Sequence, residues 1–157
     1  MTFPAQADPA DSDAQLVADQ LALELAARDL YDSAIAAGAA DAIWTTLREQ
    51  HDSFAQRLSG IIAQPAQGAS DELADQFADG FAVADPSELA AQLENHLAAT
   101  YADRVGEVSV STRGNAIAGA FGSILVSESR HAVVLSDMAG VTDPAGILVN
   151  PIAEVGA

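Results

Sequence analysis

The chain has 157 residues, 23 of them acidic and six basic, with no cysteine; every basic residue is Arg, and Ala fills 35 positions. A formal charge of −17 leaves too few cations to neutralise phosphates, which excludes nucleic acid as a partner and argues against docking on an anionic membrane. Without cysteine there are no disulfides, thiolate metal sites or cysteine nucleophiles.

Half of the residues are apolar, enough for one domain with a buried core. The excess of Ala over aromatic residues favours closely packed helices over a sheet. Residues 1–10 are small, polar and Pro-containing and read as a disordered N-terminus. Met1 to Asp13 hold neither Arg nor Lys and no apolar run, so they do not read as a secretory signal. No apolar stretch is long enough to span a bilayer, and the expected location is cytoplasmic.

A first long helix is predicted over about residues 12–37. Asp11, Ser12 and Asp13 offer cap oxygens; Leu16, Leu23, Ala27, Leu30 and Ala34 keep helical spacing, and Gly38 is a natural stop. A second follows Asp41 and ends near Ala63, with Trp44, Leu47, His51, Phe54, Leu58 and Ile61 alternating in steps of three and four. Ser70–Asp79 forms a short acidic helix within a crossover. Asp85 as cap and Pro86 in the first turn start a third long helix that runs to about Gly106. The alternating segment Glu107–Thr112 lacks a partner strand and reads as a loop. A fourth long helix runs from about Thr112 to Ala139, with Gly140 as its stop. The tail 141–157, with Ile147, Leu148 and Val149 between Pro144 and Pro151, reads as an extended segment. Short turns within each pair make antiparallel hairpins. The expected fold is all-α: a four-helix bundle over residues 11–140, two antiparallel hairpins joined by a crossover that contains a short helix.

The two hairpins repeat one another. Glu24 precedes Tyr31 by seven residues, and Glu94 precedes Tyr101 by seven. At an offset of 80, His51 matches His131, Leu58 matches Met138 and Gly60 matches Gly140. In the fourth long helix, Ile117, Phe121, Ile124, Glu128, His131, Leu135 and Met138 form one heptad seam. Glu128 and His131 therefore occupy core positions, on one helix face as an E-x-x-H pair. A buried carboxylate is costly unless it is paired or protonated. His51 lies in the seam of the second helix, with Arg48 one turn before it.

With these residues the chain resembles the ferritin-like superfamily, whose bundle carries one Glu on each of two helices and a Glu-x-x-His pair on each of the other two. The resemblance covers roughly residues 14–140 and is closest over SESRHAVVLSDMAG, residues 127–140. It implies that Glu24, His51, Glu94, Glu128 and His131 surround iron or manganese, with Tyr31 and Tyr101 beside the site. The departure is Arg48, which stands where the second helix should carry a Glu. Three Glu and one Arg sum to −2, which balances at most one divalent ion.

Two readings follow. One is a metal-binding bundle with an oxidoreductase-type or metal-handling role. The other is a metal-free bundle serving as a structural or binding module, with Arg48 filling the site and pairing with Glu24 or Glu94. A homodimer, and a partner for the apolar C-terminal tail, complete the expectations.

Overall fold

The computed structural model describes residues 9–62 and 68–142, and among them every regular element is helical. The elements are α1 (Pro9–Ala36), α2 (Ala42–Ile62), α3 (Asp71–Phe81), α4 (Ser87–Val105) and α5 (Thr112–Met138). The expected course of the tail beyond residue 142 lies outside the described residues. So does the expected disorder of residues 1–8. Pro9 and Ala10, expected in that disordered segment, belong to α1 instead, since Pro fits the first turn of a helix.

Each helix starts and stops where its capping chemistry allows. Gly38 and Gly140 adopt φ of +105° and +72°, and Ala39 N–H and Val141 N–H donate back to Ala34 O and Ser136 O, which satisfies late helix carbonyls. Asp41 Oδ1 accepts from Ile43 N–H at 3.0 Å. Ser70 Oγ accepts from Leu73 N–H and starts α3, whereas Ser70 N–H donates to Ala22 O and ties the crossover to α1. α4 begins one residue later than expected: Pro86 is its cap, and Asp85 Oδ1 accepts from Ser87 N–H at 3.2 Å.

Asp13, expected as a cap, is buried within α1. Its carboxylate accepts from Ser109 N–H at 2.9 Å and from Ser109 Oγ. It thus clamps the loop between α4 and α5 onto α1, and that loop is irregular as expected.

Cross-helix pairs define the registers. Glu24–His51 and Tyr31–Trp44 run in opposite directions along α1 and α2. Glu94–His131 and Tyr101–Phe121 do the same for α4 and α5, as do Tyr31–Glu94 and Glu24–Tyr101 for α1 and α4. The core forms two apolar clusters. One gathers Tyr31, Trp44, Phe77, Phe81, Leu97 and Leu135; the other gathers Leu21, Leu58, Tyr101, Ile117, Phe121 and Ile124. Buried Ala on α1, α4 and α5 (Ala26, Ala27, Ala90, Ala91, Ala132) lets the helices approach closely. α3 seats Leu73, Phe77 and Phe81 on the first cluster, with Phe81 edge-on to Tyr31 at 5.4 Å.

Two repeat matches do not survive folding. Leu58 is buried but Met138 is 41% exposed. Gly60 lies inside α2, whereas Gly140 follows α5. Of that repeat, only the His pair occupies equivalent places.

Candidate metal centre

Four long helices each send at least one polar side chain into the space between the two apolar clusters. α1 supplies Glu24, α2 His51, α4 Glu94, and α5 Glu128 and His131; the first four are fully buried, and the His131 side chain is 11% exposed. His51, Glu94, Glu128 and His131 each offer a ligand atom within 4.8 Å of one another. Two imidazoles with two carboxylates form a donor set suited to a first-row transition ion.

His51 is the hub. Its Nδ1 lies 2.8 Å from Glu24 Oε2 and 3.8 Å from Glu128 Oε1, and its Nε2 lies 3.1 Å from Glu94 Oε1. Burial pushes the His51 pKa down, but the charges of Glu94 and Glu24 and their hydrogen bonds outweigh it and lift it to about 10. The ring is therefore an imidazolium at neutral pH, a cation enclosed by carboxylates. Burial likewise pushes Glu94 up, and the attraction of His51 with the hydrogen bonds to His51 and His131 brings it well below the usual carboxylate range.

Glu128 goes the other way. Burial, then repulsion from Glu94 and Glu24, push its pKa well up. Neither of its oxygens has a hydrogen-bond donor, although both are buried. Native interiors rarely leave acceptors in that condition, because each unpaired one costs roughly 1–3 kcal/mol.

The E-x6-Y repeat becomes a crossed pair of bonds. Tyr31 on α1 donates to Glu94 Oε1 on α4, and Tyr101 on α4 donates to Glu24 Oε1 on α1 at 2.6 Å. Burial first, and then the adjacent carboxylate, raise both phenol pKa values well above the ordinary one, so both stay donors. Tyr31 also stacks on His51 at 5.3 Å.

Arg48 does not fill the site. Its Nε donates to Asp32 Oδ1 at 3.0 Å on the surface, where the side chain is 33% exposed. The pair with Asp32 on α1 holds the long side chain at the surface, outside the seam. The enclosed acidic groups are therefore three Glu without an Arg, and Arg48 pairs with neither Glu24 nor Glu94.

Sequence reasoning missed Gln50 and the covering role of Phe54. Gln50 Oε1 accepts from His131 Nε2, which leaves Nδ1 as the nitrogen facing Glu94 Oε2 at 3.0 Å and Glu128 Oε2 at 3.4 Å. Phe54 stacks on His131 at 6.4 Å and meets His51 edge-on at 6.1 Å. The signal for Gln50 was its place beside His51, on the flank of the α2 seam. No described helix is long and apolar enough to cross a membrane. No protein-family model, curated protein or solved structure matches the chain.

Proposed function

We propose that the chain is a ferritin-like four-helix bundle that holds a single iron or manganese ion among His51, Glu94, Glu128 and His131. The observation that carries this reading is the Glu128 carboxyl, buried with neither oxygen hydrogen-bonded and grouped with three other metal-donor side chains. A cation between them supplies the partner that the protein withholds. The antiparallel registers and the short helix in the crossover support the ferritin-like topology.

The surrounding residues suit one ion. Glu24 holds His51 through Nδ1, Gln50 holds His131 through Nε2, and Tyr31 holds Glu94. Such outer hydrogen bonds fix ring orientation and ligand basicity. The outward Arg48 leaves α2 without the carboxylate that a second ion would need. A bound iron or manganese ion supplies Lewis-acid and redox chemistry, which suits an oxidoreductase-type or metal-handling role.

One observation favours a second reading. The His51 imidazolium already balances part of the enclosed negative charge, so a metal-free bundle with a structural or binding role is internally consistent. Metal content decides between them. Purified chain is loaded with Mn²⁺, Fe²⁺ or Co²⁺, desalted and assayed for metal per chain, with the Co²⁺ absorption bands reporting nitrogen and oxygen ligation. One ion per chain is expected. None after loading supports the metal-free reading, and two refute the single-ion site.

A further inference from the structure

The outward face of α5 stands apart from the rest of this acidic chain. Of 23 acidic residues, only Glu128 falls within residues 113–136, and its side chain is buried. The same stretch carries Arg113 and Arg130, which form no ion pair among the described residues. Val126, Val133 and Val134 are 48%, 50% and 46% exposed there. Gly119 and Gly122 lie on this side too, and a Cβ built on either meets nothing within 4 Å among the described residues. Such small residues admit a neighbouring helix, but no described helix of this chain takes up the room.

We propose that this face joins two copies of the chain, with α5 packed antiparallel against α5 of the second copy about a twofold axis at Val126. The spacing sets the register. Gly119, Val126 and Val133 recur every seven residues, the repeat that keeps a seam facing a partner helix. With Val126 on the axis, Val133 of each copy falls opposite Gly119 of the other. A branched side chain then meets a gap that its own chain leaves open, twice by symmetry. Arg130 falls opposite Gly122. A surface that complements itself in this way is the mark of an isologous interface rather than of a site for an unrelated protein.

Charge selects the same surface. Two copies at −17 each repel through any face that carries several exposed carboxylates, and on α5 the one exposed carboxylate is Asp137 in the last turn, beyond the stripe from Gly119 to Val133. The stripe from Gly119 to Val133 is only about 21 Å long at 1.5 Å per residue. A single helix pair of that length makes a small interface, of the kind found in weak, transient complexes, so the dimer dissociates in the micromolar range. Salt tightens it, because screening weakens the net repulsion.

Sedimentation equilibrium of the full chain, from low micromolar to several hundred micromolar and at low and high NaCl, tests this. Wild type passes from monomer to dimer, more readily in high salt. The double variant Val126→Glu/Val133→Glu stays monomeric throughout, with an unchanged far-ultraviolet circular dichroism spectrum. Val110→Glu, at a fully exposed position in the loop before α5, dimerises as wild type does. The absence of cysteine allows a nitroxide at Ser129→Cys, which reports a defined distance between copies. A wild type that is monomeric at every concentration overturns the proposal and points to another occupant, such as residues 143–157. A dimer that survives the double variant overturns it by placing the contact elsewhere. None of these readouts depends on metal.

Discussion

Glu128→Gln separates a residue kept for binding from one kept for stability. In the metal-free chain Glu128 is unfavourable in place: it is buried, both oxygens lack donors, and Glu94 and Glu24 repel its charge. Gln has almost the same volume, carries no charge and brings an NH₂ group able to donate to Glu94. An unpaired buried acceptor costs roughly 1–3 kcal/mol, so relieving one stabilises the metal-free chain by about 1–2 kcal/mol. For a chain of this length that raises Tm by about 3–6 °C. The same change removes one of four ligands, and metal affinity falls by more than the roughly 10–100-fold typical of losing an outer hydrogen-bond partner. Thermal unfolding in EDTA gives the first quantity, and Co²⁺ or Mn²⁺ titration gives the second. The expected outcome is a variant that is more stable and binds metal worse. A lower Tm in EDTA, or an unchanged affinity, refutes the reasoning.

Three further outcomes follow from the same geometry. The folded His51 pKa lies above its unfolded value of 6.5, at about 10. Its stabilising contribution is therefore complete below pH 6.5, declines as pH rises and is gone above pH 10, with a total of up to about 5 kcal/mol. Urea unfolding in EDTA from pH 6 to 10 checks this against His51→Gln, which lacks that slope. Tyr31→Phe strips Glu94 of a buried donor and lowers stability by about 1–3 kcal/mol, and Tyr101→Phe does the same through Glu24, both read from urea midpoints. Arg48→Ala breaks only a surface pair with Asp32; it changes stability by less than about 1 kcal/mol and leaves metal stoichiometry as in wild type.

The helices and the inward position of the acidic cluster were legible because both depend on local spacing. A carboxylate and an imidazole three residues apart in the α5 heptad seam must face the core if the seam does, and Glu128 and His131 do. The resemblance to ferritin-like bundles likewise implied that Tyr31 and Tyr101 lie beside the acidic cluster, and both bond to its carboxylates. Spacing within one helix, however, says nothing about which atoms meet across helices. Only tertiary structure crossed the tyrosines, with Tyr31 on Glu94 and Tyr101 on Glu24.

Long side chains were the least legible, since each can swing toward whichever partner the neighbouring helix offers. Arg48 was expected inside and pairs outward with Asp32. Gln50, with no motif to mark it, reaches His131. Asp13, expected as a helix cap, clamps a loop 96 residues away. Composition and periodicity by themselves determined an acidic all-helical chain with Glu and His turned inward, because backbone hydrogen bonding and apolar period are local. The packing of the helices decided which of those groups are paired and that Glu128 is left without a donor, because hydrogen bonds and desolvation depend on atoms that only the fold brings together.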